Sequence, residues 1–281
     1  MTHNIWNRDA NAPGWESKGE DCSAKARVGG LLQIYKDTNP DIVGCQEASA
    51  LMADLLKQGF EKNKSGYTMI WGRFTPILYR SDKFELVDSE FGTYPEKLEG
   101  RTETFNDVLS KSWNLGVFRI KENKKTFIFA TTHLWWKKSP TGDPAKDDSG
   151  TCPYSDEARE YQLASLVEKV EYYRAKYGCP AVVVGDMNTD YNSKAIQTAL
   201  SRGFRHAHDI ATDYAEESVG YHKCYPWGYE KFYSDAPFES AIDHILVIGE
   251  EEGSVKRFER YSPEYYLPIS DHSPAYVDIE L

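Results

Sequence analysis

The residues best able to do chemistry in this chain sit where apolar runs stop. Ala181-Val-Val-Val-Gly-Asp186-Met-Asn188 is a continuous apolar stretch that ends in glycine, a carboxylate and a carboxamide. Such a run reads as a buried strand, and polar groups at its C-terminal end point into the crevice where α/β enzymes place their ligands. The trio suits phosphate ester hydrolysis, with Asp186 orienting a water or holding a metal and Asn188 donating to a phosphate oxygen or to the nucleophile. Gly-Asp-x-Asn alone is equally compatible with a turn in which Asp and Asn bond their own backbone. Other runs repeat the pattern. Thr2-His-Asn4-Ile-Trp6 carries Asn4, Asp41-Ile-Val-Gly-Cys-Gln46-Glu47 ends in an acid, and Lys125-Thr-Phe-Ile-Phe-Ala-Thr-Thr-His133 ends in an imidazole. Ser240-Ala-Ile-Asp243-His-Ile-Leu-Val-Ile248 holds an acid inside a strand, and Ser270-Asp271-His272-Ser-Pro precedes Ala275-Tyr-Val-Asp-Ile279. A bare buried charge is costly, so Asp243 needs a partner, and His272 is the expected one at about 2.6 to 3.2 Å.

The elements that must position these groups alternate along the chain. Ala24 to Asp37 carries Val28, Leu31, Leu32 and Tyr35 at helical spacing, and Ala50 to Gln58 reads as a shorter helix closed by Gly59. Strands are expected at Tyr67 to Trp71, Thr75 to Arg80, Phe84 to Phe91, Ser112 to Ile120 and Thr126 to His133. Ser155 is expected to cap a helix with Asp156 and Glu157 in its first turn. Its buried stripe is Leu163, Leu166, Val167, Val170 and Tyr173, and it ends near Tyr177-Gly178. Asn192 to Arg202 follows the Asp186 strand as a further helix. Two long loops, Trp135-Trp136-Lys137 through Pro153 and Gly220 through Tyr233, are rich in aromatics, as is Tyr261-Ser-Pro-Glu-Tyr-Tyr266. Long loops in a compact domain commonly serve function. Their Trp135, Trp136, Tyr225 and Trp227 are candidates for stacking on a substrate ring; packing of the loops onto the body is the equal alternative.

In chain order, Asn4-Ile-Trp6, Gln46-Glu47, Thr132-His133-Leu134, Gly185-Asp186-Met-Asn188, Ile242-Asp243-His244-Ile245 and Ser270-Asp271-His272-Ser-Pro274 resemble the motifs of the endonuclease/exonuclease/phosphatase superfamily, the group that contains DNase I. The resemblance spans nearly the whole chain. It implies a four-layer α/β/β/α sandwich, two mixed sheets packed face to face with helices outside and the site at one end of the sheets. It also implies residue roles. Glu47 holds a magnesium- or manganese-like ion, assisted by Asn4, with Asp271 adding a direct or water-mediated contact. Asp186 activates the attacking water, Asn188 places it or the phosphate, and His272 held by Asp243 works in acid/base chemistry at the phosphate. His133 binds a non-bridging oxygen.

Two departures stand out. Where many members carry Glu after Gly ahead of a Pro-Ile-x-Tyr strand, this chain reads Gly72-Arg73-Phe74-Thr75-Pro76-Ile77-Leu78-Tyr79. On that alignment Arg73 replaces the acid that supports His133, and it would depress the imidazole and grip phosphate itself. Trp113 and Asn114 stand where many members carry an arginine, so no phosphate-binding role is transferred to them.

Composition narrows the options. A chain of 281 residues with 40% hydrophobic content reads as one α/β enzyme domain, residues 1–281, expected to be a monomer with no protein partner implied. No apolar run approaches the length of a membrane helix, so the chain reads as soluble. No signal peptide precedes the first strand at Thr2; the sequence is compatible with a mature or trimmed form, and the compartment stays open. The net charge of −11 disfavours affinity through a broad basic surface on nucleic acid, without excluding a nuclease that uses local contacts. Cys22, Cys45, Cys152, Cys179 and Cys224 show no zinc spacing, and one bridge among Cys22, Cys152 and Cys224 is compatible with their loop positions. A calcineurin-type two-metal centre lacks its Asp-x-His and Gly-Asn-His motifs. The functions left are a metal-dependent phosphoesterase acting on a phosphorylated small molecule, a nuclease, and a binding module of the same fold without activity.

Overall fold

A computed structural model describes residues 1–215, 240–261, 263 and 269–281. Thirteen strands among them form two sheets. The first contains β1 (Thr2–Asn4), β2 (Ile42–Gln46), β3 (Tyr67–Ile70), β4 (Ile77–Arg80), β10 (Asp213–Tyr214), β12 (Val255–Arg260) and β13 (Ala275–Ile279). Its spatial order is β10-β12-β13-β1-β2-β4-β3. The second contains β5 (Phe84–Thr93), β6 (Ser112–Ile120), β7 (Thr126–His133), β8 (Ala181–Asp186), β9 (Arg205–His206) and β11 (Asp243–Ile248), in the order β5-β6-β7-β8-β11-β9. Both are mixed. β1 and β2 run parallel in the first sheet, as β7 and β8 do in the second, while most other neighbours are antiparallel.

Strand alternation builds the layers. Val182 and Val184 of β8, with Phe127 and Phe129 of β7, join Ile77, Phe258 and Ala275 of the other sheet in the core between the sheets. Ala181, Val183, Ile128 and Ala130 face the other way, under Leu163, Leu166, Val167 and Val170 of helix α4 (Ser155–Tyr177) and Ala195, Ile196 and Ala199 of α5 (Lys194–Ser201). On the far side, Val43, Cys45 and Leu78 pack against α2 (Ala24–Thr38) and α3 (Ala50–Asn63) through Leu31, Ile34, Leu56 and Phe60. The result is helices, sheet, sheet, helices. Two short helices, α1 (Pro13–Glu16) and α6 (Ala207–Ile210), and a 3-10 turn at Asp107–Leu109 complete the described elements. No helix among the described residues is long and apolar enough to cross a membrane.

Some local expectations are corrected. α3 does not close at Gly59 but continues to Asn63, with Lys64 as its left-handed cap. The glycine serves close helix packing instead, since a Cβ there would stand 2.3 Å from Leu32 of α2. Ser155 is the first residue of α4 rather than its cap; its hydroxyl donates to Cys152 O and accepts from the Trp135 indole. Cys22 and Cys152 are free buried thiols rather than bridge partners, and Cys224 lies outside the described residues.

Gly185 has a different reason to be glycine. In the parallel pairing of β7 with β8 it lies opposite Thr132, and an added Cβ would meet the Thr132 carbonyl oxygen at 2.2 Å. Backbone cannot yield as a side chain can. Gly185→Ala should therefore destabilise the fold by about 1–3 kcal/mol, the usual cost of overpacking, measured as a shift of the urea midpoint. A change within about 0.5 kcal/mol would show that the two strands separate there at little cost.

Candidate active site

Four strand ends and two strand starts meet at one edge of the two sheets. Register fixes the meeting: Asn4 lies beside Gln46, Ser112 beside His133, and Asp186 between His133 and Asp243. Just beyond these ends the backbone turns sharply. Trp6, Glu47 and Asn188 adopt φ of 59°, 59° and 51°, a left-handed conformation that side-chain-bearing residues seldom take and that clusters at functional sites. The turn at Glu47 is held by the Asn7 N–H, which donates to Glu47 Oε2 at 2.9 Å. Asn7 is in turn held by Arg27, a buried residue of α2 whose guanidinium donates to the carbonyls of Ile5, Trp6 and Arg8 on either side of it.

Asp186 is the hub. Its Oδ2 accepts from Asn4 Nδ2 at 2.9 Å and its Oδ1 from the Asn188 N–H at 3.0 Å. Asn4 thus orients the Asp186 carboxylate, and its own Oδ1 accepts the Trp6 N–H at 3.0 Å. The Asn188 side chain donates to Leu134 O at 3.1 Å, which ties the end of β8 to the end of β7. Asp243 Oδ2 and His272 Nδ1 are hydrogen-bonded at 2.8 Å, and His272 Nε2 faces Asp186 Oδ2 at 3.8 Å. The ligand atoms of Asp186, Asp243 and His272 all lie within 4.8 Å of one another.

The charges follow from burial and neighbours. Burial raises the Asp186 carboxyl above the ordinary carboxylate value, against the pull of His272 and Lys111. Burial also opposes the charged form of His272, but the Asp243 and Asp186 carboxylates outweigh it and hold the imidazole well above its ordinary value. For Asp243, the penalty of burial is overcome by the His272 charge and hydrogen bond, which keep the carboxyl ionised. Each member of the pair thus favours the charged form of the other.

His133 has an unforeseen neighbour. Lys111 Nζ lies 2.7 Å from His133 Nε2, both side chains being buried. Burial, then the Lys111 and His272 charges, hold the imidazole well below its ordinary value. With Lys111 donating to Nε2, a neutral His133 would carry its proton on Nδ1. Burial pushes Lys111 itself down to about 8, opposed by the carboxylates of Glu47, Asp186 and Asp107. In the sequence Lys111 carries one signal, a lysine directly ahead of the strand that pairs with the His133 strand.

A cleft of about 730 Å³ opens above these groups, lined among others by Glu47, Lys111, His133, Asp186, Asn188, Asp271 and His272. Trp136 lines it at 50% exposure. Its neighbour Trp135 does not. That ring is 1% exposed, edge-on to Phe105 with its N–H donating to Ser155 Oγ, so the expected substrate contact is replaced by a packing role. Arg73 is likewise corrected. Its guanidinium donates to Val108 O at 2.8 Å and is absent from the cleft lining, and the cation beside His133 is Lys111. Tyr225 and Trp227 lie outside the described residues, as do 262 and 264–266 of the third aromatic segment.

The donor set accepts a hard divalent cation in part. Glu47 lines the cleft with Oε2 fixed by the Asn7 N–H and Oε1 3.8 Å from His133 Nε2, and the ligand atoms of Glu47, His133 and Asp186 lie within 4.8 Å of one another. The two carboxylates suit such an ion; His133, committed to Lys111, does not.

Comparison with known proteins follows the same lines. The sequence matches the family described as "Endonuclease/Exonuclease/phosphatase family" over residues 1–272. Among solved structures, an endonuclease/exonuclease/phosphatase from Bacteroides vulgatus is 23% identical, with 100% of this chain and 97% of that chain covered and a TM-score of 0.73. A mannosyl-6-phosphatase from Bacteroides thetaiotaomicron is 23% identical, covering 100% and 98% at a TM-score of 0.72. TDP2 from D. rerio, complexed with single strand DNA product, is 14% identical, covering 98% and 96% at 0.65. No curated protein sequence matches significantly.

Proposed function

Because the chain belongs to the endonuclease/exonuclease/phosphatase family, we propose that it is a divalent-metal-dependent phosphoesterase that hydrolyses a phosphomonoester or phosphodiester by attack of an oriented water. The observation that carries this reading is the convergence of Asp186 and the Asp243-His272 pair below an open cleft. Glu47, with Asp271 and Asp186 on the same wall, would hold a magnesium- or manganese-like ion, whose chemistry is to polarise the phosphate and offset its charge. Asp186, held by Asn4 and the Asn188 N–H, positions the water and takes its proton; a carboxyl raised by burial is a better base near neutral pH than an ordinary one. His272, charged and steered by Asp243, faces the reacting phosphate and stabilises the negative charge that develops there. Lys111 supplies a second fixed cation at the same wall, and His133 holds its ammonium in place. Both a mannosyl-6-phosphatase and a protein bound to single strand DNA product share the fold, so the reading spans sugar phosphates and nucleic acid.

A panel assay tests it. With added Mg²⁺ or Mn²⁺ the protein should hydrolyse at least one of p-nitrophenyl phosphate, bis(p-nitrophenyl) phosphate, a hexose phosphate or an oligonucleotide, and EDTA should abolish the activity. Full turnover in EDTA would remove the metal from the account.

A further inference from the structure

The cleft extends beyond the reacting groups, and its outer wall is built with care. Trp136 projects into it between two anchored residues. Arg159 of α4 donates from Nη1 to the carbonyls of both Trp135 and Lys137, and Gln162 Oε1 accepts the Trp135 N–H at 2.8 Å. The buried Trp135 ring locks the same segment from below. The indole of Trp136 is therefore a half-exposed aromatic face on a fixed backbone, which reduces the entropy lost when a ligand stacks on it.

A second rim segment lines the same cleft. Val108 is 73% exposed at φ 51°, an uncommon conformation for a β-branched residue, and Arg73 Nη2 holds its carbonyl at 2.8 Å. Beside it Asp107 is exposed on the cleft; its charge acts on Lys111, but its carboxylate accepts no hydrogen bond among the described residues. Ser149 and Asp147 add hydroxyl and carboxylate groups, and Lys137 lies 5.5 Å from the Trp136 ring centre. Ser149 donates its hydroxyl to Asp147 at 2.8 Å, so these two are already paired, and Asp107 is the acceptor left open. An aromatic face in one cleft with an open carboxylate is suited to a ring that carries many hydroxyls. The carboxylate accepts its O–H groups, and the indole covers its C–H face. On this wall Asp107 and Asp147 offset Lys137 and Lys138, so it lacks the net positive charge of a groove that tracks a polynucleotide.

We propose that this outer wall, with Trp136 as its stacking face and Asp107 as its hydroxyl acceptor, makes the protein selective for a single phosphate carried by a neutral, polyhydroxylated ring, that is, a sugar-type phosphomonoester. The inference rests on the phosphoesterase reading above. Arg73 and Arg159 are positioning residues in it.

The test compares kcat/KM with Mn²⁺ for glucose 6-phosphate, glycerol 3-phosphate, adenosine 5′-monophosphate and a single-stranded oligonucleotide. Glucose 6-phosphate should exceed glycerol 3-phosphate at least tenfold, and the nucleotide and oligonucleotide should fall below both. Trp136→Ala should reduce the glucose-to-glycerol ratio at least tenfold, chiefly through KM, while Trp136→Phe keeps most of it. Asp107→Ala should reduce the same ratio. Hydrolysis of glycerol 3-phosphate with no preference for the ring, or a ratio indifferent to Trp136→Ala, would overturn the selectivity and leave the phosphoesterase reading standing. Preference for the nucleotide or oligonucleotide would overturn it in favour of a base-stacking site. Failure to hydrolyse any of the four with either Mg²⁺ or Mn²⁺ would sink both.

Discussion

Asp186→Asn should lower kcat about 10²- to 10⁴-fold with KM changed only a few-fold, the range typical of losing a general base. The substitution keeps the size of the side chain and its hydrogen bond from the Asn188 N–H, so the strand ends should stay in place. What it removes is the charge and the proton acceptor. It also sets an amide against the amide of Asn4, where a carboxylate accepted a donor at 2.9 Å. Because Asp186 faces His272 and the metal-holding wall at once, the loss should appear at saturating substrate rather than as weaker binding. Unchanged kcat in a folded Asp186→Asn protein would take Asp186 out of the chemical step.

Asp243→Asn should also cost about 10²- to 10³-fold in kcat/KM, since it disables the charged His272 that stabilises the developing negative charge. It carries a pH signature that a loss of packing would not. The active form needs Asp186 ionised and His272 protonated. Its acid limb therefore lies above the ordinary carboxylate value, and its alkaline limb above the ordinary histidine value. Asp243 raises both groups. Removing its charge should move both limbs of the kcat/KM profile to lower pH, and His272 should give up its proton earlier as pH rises. An alkaline limb that stays in place would show that Asp243 does not hold the imidazolium.

Strand ends were the legible part of this chain. A buried strand needs a continuous apolar run, and a carboxylate or imidazole that interrupts such a run is conspicuous; Asp186, Asp243, Glu47 and His133 stand out for that reason. The layers were legible as well, because Leu163, Leu166, Val167 and Val170 recur at helical spacing while the β-favouring runs do not. What escaped was set by contacts distant in sequence. Lys111 matters only because β6 and β7 pair in the register that places Ser112 opposite His133. Of two adjacent tryptophans, Trp135 is buried and Trp136 exposed, a choice made by Arg159 and Gln162 on a helix that starts some twenty residues later. Arg73 was assigned to phosphate from its place in a local motif, but the carbonyl of Val108 claims its guanidinium. Gly59 reads as a helix stop until the neighbouring helix is known to press on it.

The central claim is that one edge of the sandwich holds a divalent ion against Glu47, next to Asp186 and the Asp243-His272 pair. Anomalous diffraction from crystals grown with Mn²⁺ tests it most directly. The account predicts an anomalous peak in the cleft at bonding distance from the Glu47 carboxylate in the native protein, and its loss or marked weakening in Glu47→Gln. A peak of equal height in Glu47→Gln, or no peak in the cleft at Mn²⁺ concentrations that support full activity, would contradict it.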